Sequence, residues 1–297
     1  MTQTQISARP APQNGSTTPG ALSRPLTVES FGLTDPGRKR PTNQDQFVIA
    51  TLMRALWIRQ SSLPQATVRY ADDRGHIFIV ADGMGGVVGG EKASALAVGA
   101  VEEFLLNALR WLLSLDGSEE MSVLRDFKAA LRSADACVYG AAANNPGLRG
   151  MGTTLTMAYS LDDELFVAHV GDSRSYLLRG GVLLQLTRDD TLVQQMVEGG
   201  LLQPEKAGEH QLRHVITNVV GGESAGVHVQ VHRVHLEAGD VLLLCTDGLT
   251  GMLTDERIKT VLQTCPPPEA CAELTRLANE QGGEDNITVV VARYAQT

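Results

Sequence analysis

Between residues 153 and 186 the chain alternates short apolar runs with pairs of residues that favour turns. The pairs are Asp162-Asp163 and Gly180-Gly181, and each suits a tight hairpin between two strands. Strands joined by hairpins are antiparallel, so this region requires a fold that contains an antiparallel sheet. The predicted strands cover residues 153–160, 165–170, 173–179 and 182–186.

Helical and strand patterns occupy most of the remaining chain. Apolar residues at helical spacing predict one helix from Ala93 to Trp111, and a second predicted helix ends at the breaker sequence Asn-Asn-Pro-Gly after residue 143. Paired helices predict outer layers over sheets. Residues 53–73, which contain Pro64, are interpreted as an irregular connection. This second helix covers residues 121–143, and further helices are predicted at 255–263 and 267–281. Further strands are predicted at 45–52, 76–81, 227–236, 241–245 and 286–293.

Composition separates an N-terminal tail from the rest of the chain. Residues 1–25 are rich in Ser, Thr, Pro, Gln and Gly and contain no aromatic residue. Such a segment cannot bury enough apolar surface to offset the entropy of ordering, which predicts a disordered tail. Residues 26–297 are predicted to form the folded domain, because a chain of this length with 43% apolar residues can build a sizeable core.

The net charge and the cysteine pattern of the chain limit the class of its binding partner and its cellular compartment. A net charge of −9 argues against a nucleic-acid partner, which requires a basic face. The four cysteines form no Cys-x-x-Cys pair and no signal peptide precedes them, which predicts a reduced, cytoplasmic location. The most apolar long stretch, residues 93–115, is interrupted by charged residues, so no membrane anchor is predicted.

Four aspartates, Asp45, Asp82, Asp247 and Asp285, lie where predicted strands meet loops. A carboxylate at the end of a buried strand is costly unless a cation meets it. Glycine directly follows Asp82 and Asp247 and would let a backbone carbonyl approach the same point. A single Asp-Gly is most simply a turn. Four such carboxylates without a histidine or cysteine companion instead predict Mg²⁺ or Mn²⁺ rather than Zn²⁺.

Arg40 is a candidate for phosphate binding. It lies five residues before Asp45, and a guanidinium group matches phosphate oxygens bidentately. Taken alone, such an arginine is more often a surface charge. The glycine-rich run after Asp82 lacks the Gly-Lys-Ser/Thr ending of a P-loop, so that run does not predict nucleotide binding.

Seven short segments together resemble the metal-dependent protein phosphatase (PPM, type 2C) family in its bacterial form, over residues 31–293. Each segment is short, but their shared order makes the resemblance specific. The segments are Gly-Arg-Lys-Arg-Pro-Thr-Asn-Gln-Asp (37–45), Ala-Asp-Gly-Met-Gly-Gly (81–86), Met-Gly-Thr-Thr (151–154), Val-Gly-Asp-Ser-Arg (170–174), Leu-Thr-Arg-Asp (186–189), Cys-Thr-Asp-Gly-Leu (245–249) and Glu-Asp-Asn-Ile-Thr-Val (284–289).

The resemblance implies an α+β fold, a four-layer α-β-β-α sandwich with two central, mainly antiparallel sheets. It also implies two tightly bound Mn²⁺ or Mg²⁺ ions that Asp45 and Asp82 bridge. The carbonyl of Gly83 would join the first ion, while Asp247 and Asp285 would hold the other.

The resemblance also assigns roles outside this pair of ions. Asp172, together with Asp247, would help bind a weaker third ion, and Arg40 would hold the substrate phosphate. Residues 188–222 would form a flap beside the site. On strand periodicity alone, Asp172 is instead an ordinary hairpin turn residue between the strands at 165–170 and 173–179.

Two residues depart from the family pattern. Gln44 stands where many members carry glutamate, and Met84 stands where animal relatives have a histidine thought to act as general acid. Methionine is common at this position in bacterial-type members. Met84 cannot donate a proton, so a metal-bound water is the candidate proton donor to the leaving group.

The function implied is hydrolysis of phosphoserine and phosphothreonine in proteins by a metal-activated water. Its partners would be phosphorylated proteins, the substrates of a Ser/Thr kinase, and the chain would act as a cytoplasmic monomer in signal transduction. Two alternatives stay open. One is a catalytically weak phosphoprotein-binding or regulatory module of the same fold, and the other is a metal-dependent hydrolase of a small phosphoester.

The histidines at 228, 232 and 235 suggest a second metal site only weakly. Alternation on a strand places His228 and His232 on one face and His235 on the other, which is a poor ligand set for Zn²⁺. We interpret them as solvated strand histidines. Cys265 and Cys271 are interpreted as packing residues.

Overall fold

The computed structural model describes residues 26–60, 68–108, 120–208 and 210–296. The predicted disordered tail, residues 1–25, lies outside these ranges. No helix within them combines the length and the apolar character needed to cross a bilayer. The helices are α1 (Gly86–Ala108), α2 (Glu120–Ala143), α3 (Leu192–Glu198), α4 (Asp247–Thr250), α5 (Asp255–Thr264) and α6 (Pro267–Glu280).

The strands of the described ranges form two antiparallel sheets. One sheet has the order β1-β12-β11-β7-β8, and the other has the order β10-β6-β5-β3-β4-β9, with β2 paired to β3. The strands are β1 (Leu26–Asp35), β2 (Asp45–Trp57), β3 (Val68–Met84), β4 (Gly152–Thr153), β5 (Leu155–Leu161), β6 (Glu164–Val170), β7 (Arg174–Arg179), β8 (Val182–Gln185), β9 (Val220–Gly221), β10 (Gln230–His235), β11 (Val241–Cys245) and β12 (Ile287–Gln296).

The sheets pack face to face, and helices cover their outer faces. On β3, Ile77 and Ile79 pack against the layer of α1 and α2, whereas Phe78 and Val80 point between the sheets. β11 and β12 alternate in the same way between the layer of α5 and α6 and the space between the sheets. Both faces of these strands are therefore buried, at roughly 1.5–3 kcal/mol for each large apolar side chain. The predicted α-β-β-α sandwich is confirmed.

The two predicted hairpins are present. Asp162 adopts a positive φ of 53° in the turn between β5 and β6, and Gly180 and Gly181 adopt φ values of 55° and 81° between β7 and β8. Such turns match the right-handed twist of the paired strands. These residues therefore fix the registers of β5 with β6 and of β7 with β8.

The interpretation of Asp172 as a hairpin turn residue is wrong. β6 belongs to the seven-stranded sheet and β7 to the five-stranded sheet, so residues 171–173 carry the chain from one sheet to the other. Gly171 has a φ of 107° at this crossing. The strand periodicity is the same on both sides of the crossing, and for this reason it did not distinguish a crossing from a turn.

Other element boundaries also differ from the sequence prediction. β1 was not predicted, and it is an edge strand whose polar residues alternate with apolar ones. Residues 53–57 and 68–73, taken as part of an irregular connection, extend β2 and β3, with a register shift between Met53 and Ala55 that obscures the period. Residues 227–229 precede β10 instead of belonging to it.

The segment 188–222 is more structured than its polar sequence suggests. It contains α3, a 3-10 turn at Pro204–Lys206 and β9. Thr191 and Ile216 form an isolated antiparallel bridge that draws the two arms of the segment together. We call residues 188–222 the flap.

Candidate metal centre

Five of the aspartates predicted from sequence converge where the two sheets meet. Asp45 begins β2 and lies directly opposite Asp82, near the end of β3. Asp172 lies at the crossing between the sheets, Asp247 opens α4 two residues after the end of β11, and Asp285 lies two residues before β12. Like charges opposite each other destabilise a strand pair. The arrangement is therefore costly unless a cation or protons neutralise the carboxylates.

The five carboxylates act on one another electrostatically. Burial raises the pKa of Asp82 well above its usual value, and Asp45, Asp247, Asp172 and Asp285 each raise it further. Burial also raises the pKa of Asp45 to about 7, with added repulsion from Asp247 and Asp285. The pKa of Asp172 is raised well above its usual value by burial and by Asp247. The five residues thus form one electrostatic cluster.

The raised pKa of Asp45 has a consequence for stability. A carboxyl group with a raised pKa binds its proton more tightly in the folded protein than in the unfolded chain, so folding loses free energy as pH rises between the two values. For Asp45 these values are 3.8 and about 7. In ion-free protein its deprotonation across this range destabilises the fold, and a bound cation would reverse the effect.

Unpartnered oxygen atoms show that the cluster fits cations. Among the described residues, the Oδ1 atoms of Asp45, Asp172 and Asp247 are buried without a hydrogen-bond partner. The other oxygen of Asp45, Oδ2, accepts hydrogen bonds from Thr246 Oγ1 at 2.8 Å and Thr288 Oγ1 at 2.7 Å. A buried carboxylate oxygen without a partner is costly. Oxygen atoms of this kind are the ligands that Mg²⁺ and Mn²⁺ prefer.

The Met-Gly-Thr-Thr segment holds Asp82 in place. The hydroxyl of Thr154 accepts from the Asp82 amide at 2.9 Å, and the Asp82 carbonyl accepts from Thr153 Oγ1 at 2.8 Å. Gly83 packs so closely that an added Cβ would lie 2.1 Å from the carbonyl oxygen of Gly90. Only glycine therefore fits at this position of β3.

The cluster opens into two adjoining cavities that share Asp247. The larger has a volume of about 620 Å³ and contains Asp82 and Asp285, and the smaller, of about 210 Å³, contains Asp172. Asp45 lies behind them and is buried. Gly83, Arg40 and both residues that depart from the family pattern, Gln44 and Met84, line the larger cavity.

Arg40 reaches the cluster from the loop between β1 and β2. Its Nη2 atom donates to Asp285 Oδ2 at 2.5 Å. The loop is held by Asn286, whose side-chain amide donates to the carbonyls of Pro36 at 3.0 Å and Thr42 at 2.9 Å. The Asp-Asn pair thus supplies one cluster residue and positions the loop that carries the arginine.

Four residues of the site were not predicted from the sequence. Arg213 and His214, both on the flap, line both cavities, and His214 Nδ1 lies 3.9 Å from Asp247 Oδ2. No motif marks them, since their place depends on how the flap folds over α4. Thr246 and Thr288 were also missed, although each is close in sequence to a predicted ligand.

The three strand histidines lie away from this cluster. His228, His232 and His235 are all exposed, as the sequence interpretation predicts. His235 Nδ1 lies 3.5 Å from Glu164 Oε1, but Glu164 already pairs with Arg233 through two hydrogen bonds. These contacts provide no reason to place an ion there.

Comparison with known proteins identifies relatives of the chain. The family model described as protein phosphatase 2C matches residues 59–286. The serine/threonine protein phosphatase PstP of Mycobacterium tuberculosis is 39% identical over 217 residues, which cover 73% of this chain but only 40% of that protein. The serine/threonine phosphatase stp of Listeria monocytogenes is 35% identical over 220 residues, which cover 74% of this chain and 84% of that protein.

The fold comparison gives the same relationship. The catalytic domain of the serine threonine protein phosphatase PstP, solved in complex with two manganese ions, superposes with a TM-score of 0.71 at 32% sequence identity. The superposition covers 91% of this chain and 99% of that domain.

Proposed function

Because the chain belongs to the protein phosphatase 2C family, we propose that it is a metal-dependent phosphatase that removes phosphate from serine and threonine side chains of proteins. The observation that carries the proposal is the cluster of five carboxylates at the two cavities, three of which keep a buried oxygen without a partner. A cluster of this kind has no role in stabilising an ion-free fold, since its members repel one another.

Asp45, Asp82, the carbonyl of Gly83, Asp247 and Asp285 would hold two divalent ions. All are oxygen ligands, which suit Mn²⁺ and also Mg²⁺. When bound, such ions neutralise the carboxylates, polarise phosphoryl oxygens and activate a water molecule. The two manganese ions of the PstP catalytic domain support this assignment.

The chain's own residues then bind and orient the substrate. Arg40 lines the larger cavity and is already oriented by Asp285, so its remaining donors are placed to hold phosphoryl oxygens. Thr246 and Thr288 fix the Asp45 carboxylate, which therefore does not have to reorganise during the reaction. Asp172, in the smaller cavity beside Asp247, is proposed to help bind a weaker third ion.

We further propose that the protein acts as a cytoplasmic monomer in signal transduction. Its partners would be proteins phosphorylated by a Ser/Thr kinase, and not nucleic acids or membranes. The net charge of −9 supports the exclusion of nucleic acid, because polyanions bind best to proteins with an excess of positive charge. Residues 26–297 would form the phosphatase domain, in which the flap contributes to the choice of phosphoprotein.

Rates on two classes of substrate test the proposal. We expect phosphothreonine and phosphoserine peptides to be hydrolysed with a higher kcat/KM than phosphorylated metabolites of similar charge. The physical reason is the size of the larger cavity, about 620 Å³, and its lining by the flap residues Arg213 and His214, which a peptide can contact beyond its phosphate. Faster hydrolysis of a metabolite than of any phosphopeptide would establish the alternative, a hydrolase of small phosphoesters.

A further inference from the structure

On one side, the crossing that carries Asp172 is held by hydrogen bonds to Asp190. The amide of Gly171 donates to Asp190 Oδ2 at 3.1 Å, and the Asp190 amide donates to the Gly171 carbonyl at 2.7 Å. Buried His169 also contacts this carbonyl, through Nε2 at 3.0 Å. A carbonyl oxygen only accepts, so Nε2 carries the proton. Gly171, the residue before Asp172, is therefore hydrogen-bonded through both its amide and its carbonyl.

The other side of the crossing is closed by packing. Gly171 lies so close to Thr154 that an added Cβ would be 2.6 Å from its Cγ2 atom. Thr154 is in turn bound to the amide of Asp82 and, through its hydroxyl, to Ser173 Oγ at 2.7 Å. The crossing thus has no space to move toward Thr154, and on its other side it is hydrogen-bonded to Asp190.

Asp190 is itself held by the far arm of the flap. Its carbonyl accepts from the amide of Thr217 at 2.7 Å and from Thr217 Oγ1 at 3.0 Å. Its carboxylate accepts from Asn218 Nδ2 at 2.6 Å and from Gln230 Nε2 at 3.0 Å. Asp190 is buried, with 4% of its surface exposed. Asp190, a buried residue on the near arm of the flap, therefore contacts the far arm of the flap, β10 and the crossing.

We propose that Asp190 is a positioning residue that couples the flap to the Asp172 crossing. The flap residues that line both cavities, Arg213 and His214, precede Thr217 by only a few positions. A shift of the flap on binding a phosphoprotein is transmitted through Asp190 to Gly171 and so to Asp172. The coupling rests on the proposed function for its role in catalysis, but it can be measured without turnover.

Asp190→Asn is the variant that tests the coupling. Asparagine has nearly the same volume, but its amide NH₂ must face a donor. At Oδ2 the partners are Gly171 N and Asn218 Nδ2. At Oδ1 they are Gln230 Nε2 and, in an ion pair at 3.5 Å, Arg188 Nη2. We expect the backbone amides of residues 170–174 and of the flap at 210–218 to exchange with solvent about tenfold faster in the full-length protein.

Asp240→Asn is the matched control. Asp240 is equally buried and accepts from Arg179 and from the amide of Glu237, but it lines neither cavity. We expect this variant to leave exchange in both segments unchanged. If Asp190→Asn does not fold, Gln230→Ala removes one donor to the same carboxylate and should increase exchange in both segments to a smaller extent.

Turnover supplies a readout that a purely structural role would not change. Displacement of Asp172 should lower kcat more for a phosphoserine peptide than for an aryl phosphate, so Asp190→Asn should show this difference as well. Faster exchange of the flap amides with unchanged exchange of the amides at 170–174 would show that Asp190 only anchors the flap, which would overturn the coupling. Unchanged exchange in both segments would overturn it as well. If the wild type released no phosphate, the proposed function would fail, while the exchange data would still decide the coupling.

Discussion

Asp247→Asn is expected to remove most turnover while leaving the ion-free protein at least as stable as the wild type. Asparagine keeps the volume of the side chain but removes the charge that would hold an ion. A loss of about 4 kcal/mol of transition-state stabilisation, of the order supplied by an ion at the reacting phosphate, lowers the rate roughly a thousandfold.

The expected gain in ion-free stability has a separate cause. Asp247 raises the pKa values of Asp45, Asp82 and Asp172 by repulsion, so removing its charge relieves the cluster. Initial rates with Mn²⁺ and the melting temperature in chelator measure the two effects. Asp163→Asn, which removes one charge away from both cavities, is the control and should change neither. A fall in the melting temperature of Asp247→Asn in chelator would show that Asp247 serves folding and not ion binding.

Asp172→Ala is expected to reduce turnover on a phosphoserine peptide far more than on an aryl phosphate. Serine and threonine oxygens leave poorly unless they receive a proton as the bond to phosphorus breaks, and a positioned proton donor contributes roughly 10²–10⁴-fold. Aryl oxygens need little protonation. Asp172 lies beside Asp247 in the smaller cavity, while Met84, in the larger cavity, has no proton to give.

The comparison of substrates separates this role from general damage to the site. A loss of one of the two tightly held ions would lower both rates equally, and calorimetric titration should show that Asp172→Ala still binds both. Asp172→Asn, which keeps one oxygen ligand, should retain an intermediate rate on the peptide. Wild-type turnover of Asp172→Ala on a phosphopeptide would contradict the proposed role of Asp172.

The aspartates could be predicted from sequence because each lies at a strand boundary that the sequence marks. Apolar runs end at Asp82 and Asp247, and both sheets bury both faces of their central strands, so the strand ends are clear. Residues at the ends of strands from two packed sheets meet at one edge of the sandwich. The four-layer architecture followed from the resemblance and from the paired helices, and the structure confirms it.

Other parts of the molecule depend on contacts that are distant in the chain. The sequence around Asp172 is the same whether the chain turns within a sheet or crosses between sheets, and only the packing of Gly171 against Thr154 decides between them. Arg213 and His214 reach the cavities because the flap is held at Thr217, by Asp190. The partners of Asp190 lie 19 to 40 residues away, beyond the range of local periodicity.

The most direct test of the central claim is release of inorganic phosphate from a phosphothreonine peptide by the full-length protein, stripped of metal and then assayed without and with Mn²⁺. If the carboxylate cluster is a divalent-metal centre for protein dephosphorylation, the stripped protein releases no phosphate above background and added Mn²⁺ restores turnover. Full activity in the stripped protein, or no activity at saturating Mn²⁺, would contradict it.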